Sequence, residues 1–125
     1  MNSTFSKILK IVLGLVLLVF GLNKFFGFIP MPELPTQAGD FMTSLGATGY
    51  VLPVVGALEV IVGLMLIFNK WVPFALLLLA PISANIVLFH LFLDLPGIAI
   101  ALVIAALNIV LIGKYWKSYS PLFIN

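Results

Sequence analysis

The sequence predicts an all-α fold, an up-down bundle of four transmembrane helices with a short amphipathic helix in the first outer loop. Three observations predict it. Hydrophobic residues fill 63% of the 125 positions and charged residues only 8%, at a mean hydropathy of +1.29. Four apolar stretches, each close to the ~20 residues that a membrane helix needs, follow one another along the chain. The lysines gather at the places that an even number of crossings puts on one side. A soluble domain carries roughly 25% charged residues to solvate its surface. This chain has too few, so lipid must cover most of it. Its length suits one membrane domain spanning 1–125.

The first span covers about 5–28, around an unbroken core from Ile11 to Phe20. A secretory signal peptide is the competing reading, because Lys7 and Lys10 precede the apolar run. No small-x-small cleavage site follows, and the segment reads as a retained helix. The long outer connector, 29–49, starts with Pro30, Pro32 and Pro35, which stiffen it. Ala38, Phe41, Met42 and Leu45 then recur at i, i+3, i+4 and i+7, with Gln37, Asp40, Thr43 and Ser44 mostly opposite. That period makes a short amphipathic helix. It either rests on the outer leaflet or the bundle, or forms a lid over a site between the helices.

The second span covers about 50–68, the third 71–93 and the fourth 97–115. Pro73 falls in a first turn, where proline is tolerated, whereas Pro81 is interior and should kink the third span. Asn69-Lys70 and Asp94-Leu95-Pro96 are too short to join anything but antiparallel neighbours. Lys7, Lys10, Lys70, Lys114 and Lys117 then share one face, against Lys24 with Glu33, Asp40 and Asp94 on the other. The positive-inside rule places both termini in the cytoplasm. Trp71, Tyr115, Trp116 and Tyr119 fit an aromatic belt on that side, and Tyr50 fits one on the other. The expected location is integral to a bacterial inner (plasma) membrane.

Composition also excludes chemistry. With no cysteine, thiol exchange, thiolate metal ligation and Cys nucleophiles all fall away. A lone His offers no metal-ligand spacing, and two His axial ligands for a haem would need a second subunit. There is no phosphate-cradling Gly loop, and a net charge of +2 gives no reason to expect a nucleic-acid partner.

The polar residues inside the spans are the candidates for function. A charge at the centre of a membrane helix costs roughly 2.5–3.5 kcal/mol on insertion scales. Glu59 lies about nine residues, or ~14 Å of helical rise, below the outer end of the second span. Gly56 at i−3 and Gly63 at i+4 share its stripe, and small residues admit a neighbouring backbone, so Glu59 should face another helix. In the first span Gly14 and Gly21 repeat the seven-residue spacing, with Lys24 one turn above. Ala101, Ala105 and Asn108 make a similar stripe in the fourth.

Asn85 is about as deep as Glu59, and His90 lies nearer the outside. The expectation is one polar cluster of Glu59, Asn85, Asn108 and His90 with Asn23 and Lys24 above. Desolvation disfavours the charged form of Glu59, and Lys24 or a protonated His90 favours it. Plainer roles exist for each neighbour. Lys24 also fits snorkelling to headgroups, Asn85 and Asn108 fit interhelical hydrogen bonding, and His90 fits a place at the interface. Pro81 deprives the Leu77 carbonyl of its donor, and the sequence does not say what replaces it.

The same residues carry a family resemblance. The run Gly21-Leu22-Asn23-Lys24-Phe25-Phe26-Gly27-Phe28-Ile29-Pro30-Met31-Pro32 closes the first span. Thr48-Gly49-Tyr50-Val51-Leu52-Pro53, Ala57-Leu58-Glu59-Val60 and Gly63 follow, then Pro81-Ile82-Ser83-Ala84-Asn85-Ile86, Phe89-His90 and Leu93. In this order they resemble the DoxX-like branch of the DoxX family of small four-helix membrane proteins. Spans one to three carry the likeness, the fourth only by apolar character. The resemblance implies a membrane subunit of an oxidoreductase system, or, as in animal relatives, an assembly chaperone for membrane receptors. The fold is also similar to quinone-linked thiol oxidoreductases, whose chemistry needs cysteines that this chain lacks.

Three functions compete. A quinone-linked redox subunit would use the midplane carboxylate to exchange protons with a lipid-soluble quinone. With no flavin, haem or iron–sulfur motif, its electrons must come from a redox protein partner. An assembly or binding factor would recognise a membrane helix or a lipid and needs no cofactor. A small proton-coupled transporter fits a buried Glu with Lys and His nearby, but four helices make a thin wall, so it would require a homo-oligomer. The first is the leading expectation, with quinone as the one cofactor admitted and no catalysis by the chain alone.

Overall fold

The computed structural model describes residues 2–30 and 33–124, so Met31 and Pro32 of the outer connector lie outside the described residues. The elements are α1 (Ser3–Phe26), α2 (Thr36–Ala47), α3 (Val51–Ile67) and α4 (Val72–Leu93), a 3-10 turn (Leu95–Gly97), α5 (Ile98–Lys114), α6 (Trp116–Tyr119) and a last 3-10 turn (Ser120–Phe123). No strand occurs among the described residues.

Local chemistry sets the helix ends. Asn2 caps α1 by accepting Thr4 N–H at 2.7 Å. Gly27 ends it in the left-handed region at φ 61°, donating its N–H to the Asn23 carbonyl. That cap stops the first span two residues short of the expected position 28. Thr48 Oγ1 accepts Val51 N–H at the start of α3. Pro73 sits in the first turn of α4, and the helix runs through Pro81 as one element.

Three segments are long and apolar enough to cross a membrane alone: α1, α4, and α5 with the 3-10 turn before it. With 17 residues, about 25 Å at helical rise, α3 is as short as α5 is without its 3-10 turn. It meets α2 at 89°, so α2 lies across the end of the bundle while α3 runs along it. Ala38 is buried, Met42 and Leu45 are half-buried, and Phe41 leans outward against Phe89, ring centres 5.6 Å apart. The expected four-residue apolar stripe is therefore three residues wide, with Phe41 at its rim. It rests on α3 and α4.

The helices form a ring. α1 packs on α3, α4 on α5, and the α3–α4 and α1–α5 contacts close it. Lys10 Nζ reaches both Asn69 Oδ1 (2.7 Å) and Tyr115 Oη (2.8 Å), which puts both chain ends and the α3–α4 turn on one face. The apolar core, including Leu13, Leu17, Leu66, Leu76, Leu79 and Leu111, fills the half of the bundle nearer that face. Large apolar side chains such as Leu15, Val19, Ile61, Leu88, Val103 and Ile109 point outward, which implies a surrounding lipid bilayer.

The aromatic belt needs correction. Trp71, Trp116 and, at the other end, Tyr50 are exposed as expected. Tyr119 is instead buried, its hydroxyl donating to the Pro73 carbonyl, and Tyr115 is tied to Lys10.

Candidate functional site

The seam between α1 and α3 is built on glycine. A Cβ added to Gly14 would stand 2.9 Å from the Gly63 carbonyl oxygen, and one on Gly21 2.9 Å from that of Gly56. The reverse additions meet Gly14 O at 2.8 Å and Gly21 O at 3.2 Å. The two helices thus run antiparallel with backbones in contact at two points one heptad apart. One turn beyond the Gly21–Gly56 contact, Lys24 lays its stem against Gly56, where a Cβ would come within 3.0 Å of Lys24 Cβ.

That placement brings Lys24 Nζ to 2.6 Å from Glu59 Oε1. Glu59 is 1% exposed and the Lys24 side chain 25%. At that separation the contact is a charge-assisted ion pair between the Lys24 ammonium and the Glu59 carboxylate. In a low-dielectric surrounding such a pair is strongly attractive, but each charge has also lost its water.

The other expected members of the cluster are not gathered around this pair. Asn108 belongs to the α4–α5 seam: its Oδ1 accepts from Ser83 Oγ at 2.9 Å and its Nδ2 donates to the Leu76 carbonyl at 3.1 Å. Asn85 is exposed and donates to the Pro81 carbonyl of its own helix at 2.7 Å. Neither serves the Leu77 carbonyl, and Asn108 binds the one next to it. Asn23 Oδ1 accepts Ile29 N–H at 2.7 Å and so completes the turn after α1. His90 Nδ1 lies 3.1 Å from Oδ2 of the buried Asp94, with both side chains against Gly97. The physical reason for the separation is angular. Asn85 and His90 sit on different sides of α4, and α5 contacts α4 far more closely than it does α1.

The DoxX family model matches residues 6–91, more than half of the chain. This chain belongs to the DoxX family. The matched segment holds the glycine seam, Lys24, Glu59, Asn85 and His90, and it ends before α5, the span in which the resemblance rested only on apolar character. No curated protein and no solved structure matches the chain. Among the described residues no group of three His, Asp or Glu side chains stands together to hold a metal ion.

Several polar residues of this DoxX protein escaped the sequence reading. Lys10 counted only as a topology marker, yet it is 8% exposed and holds Asn69 and Tyr115. Its position was the available signal: 10, 14, 17, 21 and 24 advance by three or four, so Lys10 and Lys24 both lie on the glycine stripe of α1. Ser83 left no comparable trace, because its partner Asn108 comes from another helix, whereas the i,i+4 spacing of His90 and Asp94 was the available signal for their contact.

Proposed function

We propose that this DoxX-family protein is a subunit, not catalytic alone, of a redox-associated membrane system, binding a small apolar ligand such as a quinone or lipid at Lys24. One observation carries the reading. The Lys24 ammonium is a quarter exposed, and among the described residues its one charged contact is the Glu59 carboxylate. Three protons on a cation in a membrane helix suit a ligand that is mostly hydrocarbon and ends in a carbonyl or ester oxygen. Glu59, held against the ammonium, offers a place for a proton beside the ligand. A cysteine-free chain supplies no thiol electrons, so a partner protein passes them. The lysine distribution supports an orientation with both termini in the cytoplasm of a bacterial inner membrane, which puts Lys24 in the outer half.

The test is equilibrium dialysis of a short-chain ubiquinone into nanodiscs carrying the protein. A lost charged hydrogen bond should weaken binding about tenfold or more in Lys24→Met. Equal partitioning into protein-containing and empty nanodiscs overturns the quinone reading.

Asn85 favours a second reading, an assembly or binding role. It is the polar member of the outward face of α4, among Phe74, Leu77 and Leu88, and its bond to Pro81 leaves the amide oxygen unspent. An amide facing hydrocarbon favours another helix, from a second copy or a membrane partner. The cysteine-free background makes Asn85→Cys a clean reporter. Oxidative cross-linking above the level of a Val19→Cys control supports this reading, and parity with that control counts against it.

A further inference from the structure

At the face that holds both chain ends, a recess of about 710 Å³ opens between the start of α1, the α3–α4 turn and the end of α5. Lys7, Lys10 and Lys114 line it, together with the hydroxyls of Ser6 and Tyr115 and the amide of Asn69. We propose that this recess binds a phosphate anion, either the headgroup of an anionic phospholipid or a free phosphate. The inference is independent of any ligand at Lys24.

Lys10 is the decisive residue. It is more than nine-tenths buried, yet both of its partners, Asn69 Oδ1 and Tyr115 Oη, are neutral. Burying an ammonium without a counter-charge is costly, and neutral dipoles offset only part of that cost. The chain has four acids, and none is near. Glu33, Asp40 and Asp94 belong to the opposite end, and Glu59 is engaged by Lys24. Among the described residues no acidic group supplies the counter-charge, and an anion from the membrane or from solution would complete the site.

The remaining capacity of the recess has the matching sign. Lys10 has a third proton, and Tyr115, having accepted from Lys10, retains its own hydroxyl hydrogen. Asn69 spends its oxygen on Lys10 and keeps its NH2. Lys7 and Lys114 add two further cations from different helices. Donors converging from three elements on one open recess fit several oxygens of a single anion. A basic pocket at this membrane level also meets lipid phosphates in its ordinary surroundings.

The experiment is native mass spectrometry of the protein released from nanodiscs of phosphatidylcholine mixed with phosphatidic acid or phosphatidylglycerol. In parallel, thermal unfolding in detergent is followed while inorganic phosphate is added against chloride at equal ionic strength. We expect retention of one anionic lipid in preference to phosphatidylcholine. Lys7→Gln with Lys114→Gln should weaken that retention, by about fivefold for each lysine removed. Asn69→Asp, which keeps Lys10 and gives it a counter-charge, should weaken it too, while Lys117→Gln, outside the recess, should not. A phosphate-dependent rise in melting temperature without anionic lipid assigns the site to free phosphate, and its absence beside lipid retention assigns it to the headgroup. Folded protein with no lipid preference and no phosphate effect overturns the proposal, as does preference unchanged in both the double variant and Asn69→Asp.

Discussion

Gly14 of α1 and Gly63 of α3 face each other so closely that a methyl group on either would press against the other's carbonyl oxygen, at 2.9 and 2.8 Å. The neighbouring backbone cannot give way as a flexible side chain would. Gly63→Ala should therefore push the helices apart and cost about 1–3 kcal/mol, as overpacking does elsewhere. Gly39→Ala in α2 has open space around it and should gain up to about 1 kcal/mol from helix propensity. Thermal unfolding of both variants in one detergent measures the contrast, and equal effects would contradict the packed seam.

The Lys24–Glu59 pair sits one turn beyond the second glycine contact, so its energetics should be those of a buried pair. Lys24→Met strands a carboxylate that is 1% exposed and should cost roughly 3 kcal/mol. Combining it with Glu59→Leu removes both charges and should recover most of that loss. A double-mutant cycle shows whether the two residues are coupled; additive losses would mean that they are not.

The two asparagines of the expected cluster should part company in the same assay. Asn108→Leu severs α5 from Ser83 and Leu76 and should cost about 0.6–1.7 kcal/mol, the range for interhelical bonds in membranes. Asn85→Leu removes only a bond to its own helix and exposes no buried partner. Its effect on the isolated protein should stay within about 0.5 kcal/mol, as for surface positions generally. The reverse order of sensitivity would refute the placement of these side chains.

Tyr119 makes stability depend on alkaline pH. Burial first, and Tyr115 second, push its phenol up to about 12 from 10.0. A folded-state value above the unfolded one means that the unfolded chain releases this proton earlier. The contribution is whole below pH 10 and is lost as pH rises from 10 through 12. Tyr119→Phe should lose about 1 kcal/mol at neutral pH, from the hydrogen bond to Pro73. The gap to the parent should close between pH 10 and 12, and unfolding curves at pH 8 and 11 read it directly.

Membrane residence, the four apolar helices and their order were legible in the sequence because hydrocarbon acts on each segment separately. A helix must satisfy its own backbone and present apolar side chains whatever its neighbours are, so composition and period suffice for 5–28 or 71–93. The glycine stripes were legible for a related reason: a seven-residue repeat marks one face of one helix. That the stripe carrying Glu59 meets the one carrying Lys24 was readable as a suggestion, since each lies one turn from a glycine.

Partner choice between helices was decided only by tertiary structure. Asn108 found Ser83 and the Leu76 carbonyl across the α4–α5 seam, because each helix can be rotated about its axis without changing its sequence pattern, while His90 and Asn85 bind within α4 and its cap, four residues away. Packing fixes that rotation. It fixes too which of six lysines is buried: Lys10 and Lys7 look alike in the chain, and only the approach of Asn69 and Tyr115 sets them apart. The sequence alone determined that these segments enter a membrane, through forces acting along one helix; the joint packing of four helices determined which polar groups meet inside it.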